Sequence, residues 1–480
     1  MAPAAEPVLI GIDVGTTKTK VGAFGLNGRQ LALVAQRYPE QKKAGEQAAE
    51  AYWTAAIQAL KSVLEHIDAG RLLAVSVGGQ GPTVVGMDGN LRAVGPALTW
   101  MDNRARAEWL ELNRSLEAPL PPHAIPPKIM WLKLHRRHLY DSTRYYCQAW
   151  DFVASQLCEQ ATVSTSPSIA PWKEHILDSA GLDRAKFPEM KQMASPIGVV
   201  SSAAAGLTGL PAGLPVIGGI SDYFESLIGT GTLAPGLACN SGGTSESLNV
   251  CWDAALDVAG IFCLPSFDEG QWYVGGPAVT SGKALEWWCE QVLHIATADD
   301  DAMREASNVE AGSNGLIFLP YLAGERAPIW DPHARGVFFG LSLEHKRAHM
   351  TRAVLESVGY KLRHLLELIE AGGAQVREIR ACGGQAQSQF WCQIKADICG
   401  RPFVMSDVTE AAVLGAAIIA GVGVGLFKDF AEGAERMVRP SATINPDMAR
   451  HERYETIFPV FRDLYPQLKD LYLRLDGAIA

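Results

Sequence analysis

The first eighty residues alternate apolar runs with glycine-containing turns. Three of these runs predict strands: Val8 to Asp13, Thr19 to Leu26 and Gln30 to Tyr38. Asn27-Gly28 supplies a tight hairpin turn, and residues 47–67 carry apolar side chains at helical spacing. Leu72 to Val77 predicts a buried strand that runs into Gly78-Gly79-Gln80-Gly81. Hairpins beside a strand–helix–strand unit predict the α/β class, with a mixed sheet covered by helices.

The second half of the chain repeats this order of elements. Gly242-Gly243-Thr244-Ser245 lies between two strand-like runs, as Gly15-Thr16-Thr17 does in the first half. Ile379 to Gln385 likewise resembles Val75 to Gln80, and both segments end in Gly-Gly-Gln. These correspondences predict a duplicated domain with one phosphate-binding loop in each half.

Three further stretches complete the predicted organisation. Pro119 to Pro211 is rich in Pro and Ser and predicts an insertion on the first core, followed by a strand at Leu214 to Ile220. Gly229 to Gly236 predicts a crossing between domains. Ala411 to Phe427 is apolar but shorter than the roughly 20 residues of a membrane span, so it predicts a buried helix that Gly421 ends.

Composition narrows the class of protein. The 480 residues are 48% hydrophobic and carry a formal net charge of -10. This length predicts two domains of roughly 200 residues each, and the acidic balance argues against a nucleic-acid-binding function. Nine cysteines without a C-x-x-C pair predict reduced, mostly buried thiols in a cytoplasmic protein. Met1 to Pro7 lacks the basic region of a signal peptide.

The segment from Gly11 to Lys20 has the composition of an anion-binding turn. Glycine allows close approach of the backbone, while the hydroxyl groups of Thr16 and Thr17 add donors. Asp13 at the strand end could hold a hydrated Mg²⁺, and Lys20 could reach a phosphate. The alternative is a plain Gly-Thr hairpin that Asp13 caps.

Two other carboxylates follow predicted strands or turns. Asp222 comes directly after the strand Leu214 to Ile220 and could accept a proton from a substrate hydroxyl. Its alternative role is an N-cap residue, with Glu225 completing a capping box. Asp102, in Asp102-Asn103-Arg104, is either another helix N-cap or part of a buried ion pair near the substrate.

Two longer motifs point to a known family. Gly336-Val337-Phe338-Phe339-Gly340-Leu341 is followed after seven residues by His349 to Glu356, and Phe318 to Pro328 lies upstream. Together with the segments above, they resemble the FGGY carbohydrate kinases of the actin-like ATPase superfamily. The resemblance implies an α/β fold of two RNase H-like domains with a cleft between them. Residues 1–231, completed by 451–480, would bind the sugar, and residues 232–450 would bind ATP.

The resemblance also implies roles for individual residues. It places one set at Mg²⁺ and the phosphates: Asp13, Thr16, Thr17 and Lys20. A second set would bind ATP from the other half: Gly243, Thr244, Ser245, Gly282, Gly383, Gly384 and Gln387. A third set would face the sugar: Gln80, Gly81, Asp102 and Asp222. Asp222 would be the catalytic base and would share the metal with Asp13.

The sugar itself follows from finer resemblance. Trp150-Asp151-Phe152 is similar to the xylulokinases of the family, so we expect a ketopentose such as D-xylulose as the small-molecule partner. Gly81-Pro82-Thr83 departs from them, because they carry Met-His after the Gln of this loop. Gluconate, ribulose and a glycerol-like polyol stay open as substrates, as does a homodimer. From another class, the alternative is a non-metabolic actin- or chaperone-like ATPase.

Overall fold

The fold is that of a computed structural model that describes residues 6–40, 43, 45–166, 170–297 and 299–479. Residues 1–5, the start of the segment that lacks the basic region of a signal peptide, lie outside the described residues. The strands are β1 Val8–Val14, β2 Lys18–Gly25, β3 Gln30–Arg37, β4 Glu46–Gln47, β5 Leu72–Gly79, β6 Val84–Met87, β7 Ala97–Leu98, β8 Tyr145–Gln148, β9 Val163–Thr165, β10 Met190–Gln192, β11 Pro196–Val199, β12 Pro215–Ser221, β13 Leu237–Gly242, β14 Glu246–Trp252, β15 Phe262–Pro265, β16 Trp272–Ala278, β17 Ile317–Leu319, β18 Val337–Phe339, β19 Glu378–Cys382, β20 Phe403–Ser406 and β21 Pro440–Ile444.

The helices are α1 Ala49–Leu64, α2 Arg106–Asn113, α3 Ile125–His135, α4 Arg137–Ser142, α5 Ala149–Cys158, α6 Glu174–Ser179, α7 Ser202–Thr208, α8 Asp222–Thr230, α9 Gly282–Trp287, α10 Asp300–Ser307, α11 Arg347–Ala371, α12 Gln389–Cys399, α13 Ala411–Gly423, α14 Phe430–Met437 and α15 Met448–Ile479. The chain packs as two units. The first comprises residues 1–231 and 410–438, and the second comprises residues 232–409 and 439–480.

The first unit is built on a six-stranded sheet in the order β11-β12-β5-β1-β2-β3. β12, β5 and β1 are parallel, whereas β1, β2 and β3 form two antiparallel hairpins. All seven residues of β1 are buried. One face of β1 packs in the core that α1 and α5 complete, and the other face packs against α13. Because helices cover both faces, β1 is continuously apolar up to Asp13 instead of alternating.

Glycines let the backbone of α13 lie directly on its neighbours. A Cβ built on Gly11 of β1 would lie 2.0 Å from the carbonyl oxygen of Val413. The same atom on Gly229 of α8 would lie 1.9 Å from the oxygen of Ala411, and on Gly415 it would lie 1.9 Å from the oxygen of Glu225. The predicted buried helix is therefore confirmed, although it runs to Gly423 instead of ending at Gly421.

The second unit repeats the topology of the first. Its seven-stranded sheet has the order β15-β16-β14-β13-β19-β20-β21. Within it, β16-β14-β13-β19-β20 corresponds to β3-β2-β1-β5-β12, with the same parallel and antiparallel pairings. The predicted duplication is thus confirmed at the level of strand order. The turns β1–β2 and β13–β14 correspond, as do the Gly-Gly-Gln segments at the end of β5 and directly after β19.

The region from Pro119 to Pro211 is more than the insertion that was predicted. Its helix α5 packs on β5 and β12 of the main sheet, and its strand β11 forms the edge of that sheet. Trp150, Phe152 and Leu157 of α5 are buried in the core of the first unit. The Pro and Ser content of this region correctly predicted its loops, but it did not predict that α5, between those loops, belongs to the core.

The C-terminal residues pack with the second unit, whereas the sequence assigned 451–480 to the first domain. The hydroxyl group of Tyr454 on α15 donates to Glu356 at 2.7 Å and accepts from Arg352 at 2.8 Å, and both partners lie on α11. The segment from 410 to 438 was assigned to the second domain from the sequence, but it belongs to the first unit, because α13 packs on β1 and α8. The unit to which each of these two segments belongs depends on contacts with residues far away in the sequence, so no local sequence pattern predicts it.

Two predictions from composition can be compared with the structure. The nine cysteines are free thiols, and most are buried, as predicted. Among the described residues, none of the helices combines the length and the apolar character needed to cross a membrane.

We expect Gly415→Ala to destabilise the first unit by about 3 kcal/mol, the upper end of the usual cost of overpacking. The added methyl group would meet the rigid backbone of α8 instead of a flexible side chain. Gly206→Ala on α7 is the matched control, because no atom lies within 4 Å of its built Cβ. That control should be neutral or stabilising by about 0.5–1 kcal/mol. Denaturant unfolding measures both, and equal effects would contradict the close contact.

Candidate functional site

The carboxyl ends of the parallel strands in the first unit carry an acidic cluster. Asp13 is the penultimate residue of β1 and is buried, and its Oδ2 accepts a hydrogen bond from Lys20 Nζ at 3.2 Å. Lys20 also contacts Glu410, the residue before α13, at 2.7 Å. Burial alone would lower the pKa of Lys20, but the two carboxylates raise it, so the ammonium stays charged. Burial also raises the pKa of Asp13, and Asp13 Oδ1 accepts no hydrogen bond from the described residues.

Asp222 lies at the same edge of the sheet, directly after β12. Its carboxylate accepts a hydrogen bond from the backbone N–H of Tyr223 at 2.8 Å. Burial, with repulsion from Asp13 as the smaller cause, raises its pKa to about 7. The capping-box hypothesis is wrong, because Ser221 is the N-cap residue and Asp222 is the first residue of α8. The carboxylate of Asp222 is therefore not part of a capping box, and its role as the catalytic base stays a prediction.

Glu225 is the third carboxyl group of this edge and is fully buried. It packs against bare backbone, since a Cβ on Gly78 would lie 1.9 Å from Glu225 Oε1 and a Cβ on Gly219 would lie 3.0 Å from the same atom. Burial, then the charges of Asp13 and Asp222, raise its pKa well above the usual value. These influences favour the protonated acid, which spares the edge a further negative charge.

The turn between β1 and β2 is braced by a group of polar side chains. Gln80 Nε2 donates to the carbonyl oxygen of Gly15 at 3.2 Å and to Gln47 Oε1 at 2.7 Å. These acceptors fix the amide so that Gln80 Oε1 points away from them, and that oxygen is buried without a hydrogen bond from the described residues. Thr16 Oγ1 accepts from Trp100 Nε1 at 3.2 Å, whereas Thr17 is exposed. The Gln80 amide can therefore accept a hydrogen bond from a ligand through Oε1, whereas its Nε2 group already donates within the protein.

Asp102 belongs to an ion pair, not to a helix cap. Arg104 Nε contacts its two carboxylate oxygens at 3.0 and 3.1 Å, and Arg104 also contacts Glu46 at 2.5 Å. α2 begins at Arg106, beyond this trio. Burial would raise the pKa of Asp102, but the hydrogen bonds from Arg104 hold it below the usual value. The ion-pair interpretation is therefore confirmed, while contact with sugar stays a prediction.

Lys128 joins the loop of Asp102 to the loop of Gly81. Its buried Nζ donates to the carbonyl oxygens of Thr99 at 2.7 Å and Pro82 at 3.1 Å. Burial lowers its pKa to about 8, although the charge of Asp102 opposes that shift. Gly81 packs on the indole of Trp150, because a built Cβ would lie 3.0 Å from that ring. The predicted sugar-facing loops are therefore neighbours in the fold.

In the second unit, the structure brings the predicted ATP-binding turns together. Gly243 O accepts hydrogen bonds from the N–H of Gly282 at 3.0 Å and from Gln385 Nε2 at 2.9 Å. Gly383 has φ +81°, and a Cβ there would lie 2.5 Å from the oxygen of Gly242. Three chain segments therefore meet at glycines, in contacts that a side chain would prevent.

The remaining residues predicted for ATP lie at the surface of these turns. Thr244, Ser245, Gly384 and Gln387 are exposed. The carbonyl oxygen of Thr244 accepts from the N–H groups of Ser281 and Lys283, both at 3.2 Å. The side chains of Thr244, Ser245 and Gln387 and the backbone of Gly384 can thus reach a ligand, whereas the backbone at Thr244 is held in place by hydrogen bonds.

Several residues of both sites were not predicted. Glu410 forms an ion pair with Lys20, although the two residues are far apart in the sequence. No local sequence pattern predicts this contact. In the second unit, Lys395 contacts Glu246 at 2.5 Å, and both side chains are fully buried. A single Lys in the apolar face of α12, between Ile394 and Ala396, was the available signal.

The first unit fits a magnesium ion by its chemistry. Mg²⁺ takes oxygen ligands and often only one or two carboxylates, with water and phosphate completing its shell. Asp13 Oδ1 is a buried carboxylate oxygen without a donor, and Asp222 is close enough for their charges to repel. No group of three or more His, Cys, Asp or Glu forms a metal set among the described residues. The pair therefore suits an ion that phosphate helps to hold.

Comparisons with known proteins agree with this geometry. The model of the FGGY family of carbohydrate kinases, N-terminal domain, matches residues 8–229, and that of the C-terminal domain matches residues 238–424. Gluconokinase of Bacillus subtilis (strain 168) is 29% identical over 97% of each chain. Xylulose kinase of the same strain is 26% identical over 96% of this chain and 97% of its own.

A solved structure extends the similarity to the fold. The gluconate kinase from Lactobacillus acidophilus superposes with a TM-score of 0.86 at 26% identity, over 98% of this chain and 100% of the other. The two-domain actin-like ATPase fold is therefore confirmed. Because the two family models together span most of the sequence, the chain belongs to the FGGY family of carbohydrate kinases, which use ATP to phosphorylate sugars.

Proposed function

We propose that this kinase phosphorylates a small neutral sugar, and that a ketopentose such as D-xylulose is its substrate. The observation that carries the proposal is the charge at the edge of the first sheet. Lys20 is engaged by Asp13 and Glu410, and Arg104 by Asp102 and Glu46. Lys128 in turn is engaged by two carbonyl oxygens. A substrate carboxylate would thus meet cations that already have acceptors, together with the additional charge of Asp222, which favours a neutral sugar.

Unpaired acceptors support a polyhydroxy substrate. Gln80 Oε1 and Thr83 Oγ1 are both buried, and neither has a hydrogen-bond partner among the described residues. Buried acceptors are costly unless they are satisfied, and sugar hydroxyl groups are donors. Where the xylulokinases carry Met-His, this chain has Gly81-Pro82-Thr83, which has smaller side chains and includes the hydroxyl group of Thr83.

Gluconate is the second candidate, because the gluconokinase of Bacillus subtilis shares 29% identity with the chain. The chaperone-like ATPase is no longer supported, since the matching family models are those of carbohydrate kinases.

In the proposed mechanism, Asp222 accepts the proton of the attacking sugar hydroxyl group. A hydroxyl group becomes a better nucleophile as its proton leaves, and a carboxylate whose pKa is raised toward 7 is a better base at neutral pH. Asp13 and Asp222 would hold a Mg²⁺ ion that neutralises the charge of the phosphate groups. Lys20 orients Asp13 through their 3.2 Å contact. The Gly243–Ser245 turn would bind ATP through backbone N–H groups and hydroxyl groups, and Gly383 and Gly384 would leave room for adenosine.

A substrate panel tests the proposal. We expect D-xylulose or D-ribulose to give a kcat/KM at least roughly tenfold above that of D-gluconate, as the unfavourable charge of a carboxylate predicts. A coupled assay for ADP measures all three sugars, with glycerol and a sugar-free reaction as controls. Preference for gluconate would contradict the neutral-sugar proposal, and equal ATP consumption without sugar would contradict the coupling of hydrolysis to phosphorylation.

We expect Asp222→Asn to lower kcat by roughly 10²–10⁴-fold, the usual contribution of a general base. The amide keeps the shape of the side chain but cannot accept the proton. Asp429→Asn, at the start of α14 in the same unit, controls for the loss of a carboxylate at a helix N-terminus. Calorimetry should show that the Asp222 variant still binds sugar. Near-normal turnover by a folded Asp222→Asn enzyme would remove Asp222 from the chemistry.

We expect Thr244→Val to raise the KM for ATP roughly tenfold, the order of one hydrogen bond to a charged group, and to leave the KM for sugar unchanged. The exposed hydroxyl group lies at the tip of the turn that would bind phosphate. Thr443→Val, on an exposed position of β21 in the same unit, is the control. Steady-state kinetics with each substrate varied in turn distinguishes the two constants. An unchanged KM for ATP would exclude the turn from the nucleotide site.

A further inference from the structure

Lys395 lies beneath the two turns assigned to ATP, in the interior of the second unit. Its side chain is 1% exposed, and α12 carries it. Its Nζ contacts three oxygen atoms: Glu246 Oε1 at 2.5 Å, Gln385 Oε1 at 2.6 Å and Asn240 Oδ1 at 3.2 Å. An ammonium group has three N–H donors, so these acceptors use its full capacity.

The lysine determines which way the Gln385 amide points. Lysine can only donate, so the oxygen of the amide must face Lys395. The Nε2 group then faces the turns, where it donates to Gly243 O at 2.9 Å and to Ser281 Oγ at 2.9 Å. Ser281 in turn donates to Glu246 Oε2 at 3.2 Å, which closes the network. One amide, oriented by one cation, thus joins the turn after β13, the start of α9 and the turn after β19.

Stability alone is a weak reason for such a network. Burying an ion pair costs desolvation energy that often equals or exceeds the attraction gained, and apolar replacements are frequently no less stable. A fully satisfied polar network does, however, fix the geometry of the groups that it joins. The joined groups here are the turns that carry Thr244 and Gly384, and their relative position decides whether one nucleotide can contact both.

We propose that Lys395 and Glu246 are positioning residues for the nucleotide, acting through Gln385 to hold the Gly242–Ser245 turn against the Gly383–Gln387 turn. This inference rests on the proposed assignment of these turns to ATP. Neither charged residue needs to touch the nucleotide. Their effect is on its binding, and the sugar site of the first unit is unaffected.

Lys395→Met tests the proposal, because it keeps an unbranched side chain and removes the cation. We expect the Kd for ADP, measured by calorimetry, to rise roughly tenfold or more, which is about 1.4 kcal/mol or more, because the two turns would lose the contact that fixes their relative position. The KM for sugar at saturating ATP should stay within about twofold, which is well below the cost of one lost hydrogen bond.

Arg352→Met is the matched control. Arg352 is also a buried cation of the second unit, but its partners are Glu356 and Tyr454. This variant should lose thermal stability without loss of ADP affinity. The positioning role is overturned if Lys395→Met binds ADP like the parent protein, or if Arg352→Met weakens ADP binding equally.

Gln385→Met provides a second route, should Lys395→Met not fold. It leaves the pair of Lys395 and Glu246 intact and removes only the amide that reaches the turns. We expect the same rise in the Kd for ADP, with faster hydrogen exchange at the N–H groups of Gly243 and Gly282. Unchanged exchange and affinity in this variant would also overturn the proposal.

Thr244→Val, assayed in parallel, distinguishes the two levels of inference. If Thr244→Val, Lys395→Met and Gln385→Met all leave ADP binding intact, the assignment of the turns to ATP fails. If Thr244→Val weakens ADP binding and the other two variants do not, only the positioning role fails.

Discussion

Contact between bare backbones at glycine is the constraint on which the first site depends. Gly11, Gly229 and Gly415 let α13 lie against β1 and α8 with no side chain between them. This packing carries Glu410, the residue before α13, to Lys20 on the second strand. A larger residue at any of the three glycines would push the helix outward and would separate Glu410 from the cluster. The acidic edge is therefore assembled by steric fit far from its own carboxylates.

The charges at that edge then determine its chemistry. Asp13, Asp222 and Glu225 crowd three carboxyl groups where burial disfavours ionisation, and their mutual repulsion adds to it. The positive charge of Lys20 offsets part of the repulsion between these carboxylates. Protonation of Glu225 reduces the repulsion further, because it removes one negative charge. An arrangement of this kind is poorly satisfied by the protein alone. Hydroxyl donors and a cation would complete it, which is the composition of a sugar and a metal-bound phosphate group.

The sequence predicted the local turns well, because their chemistry is local. The glycines of these segments stand in the sequence itself: Gly383 has φ +81°, and Cβ atoms on Gly78 and Gly79 would overlap Glu225 and Val14. Assignment of the segments 410–438 and 451–480 to units was not predictable, since it follows from helix packing across most of the chain. The partners of Lys20 and Gln385 were missed for the same reason. In addition, the capping-box pattern at Asp222 and Glu225 was a misleading local signal, because Glu225 packs against Gly78 instead.

The duplicated topology makes one comparison between the halves informative. Gln80 and Gln385 occupy corresponding positions, and each donates its amide N–H to the carbonyl oxygen of the corresponding glycine, Gly15 at 3.2 Å and Gly243 at 2.9 Å. Their amide oxygens differ. Gln385 Oε1 is bound by Lys395, whereas Gln80 Oε1 has no partner among the described residues.

The same structural device therefore has two uses in one chain. In the second unit the internal cation satisfies the amide oxygen, so the whole Gln385 amide has partners inside the protein. In our proposal, the exposed backbone and hydroxyl groups of the turns contact the nucleotide. In the first unit the oxygen is left unsatisfied beside the acidic edge. A buried acceptor without a hydrogen-bond donor is energetically unfavourable. A hydroxyl group of a bound ligand would supply the missing donor. The contact with Lys395 thus distinguishes the two glutamines: the amide oxygen of Gln385 is satisfied inside the protein, whereas that of Gln80 keeps an acceptor which, in our proposal, a sugar hydroxyl group would meet.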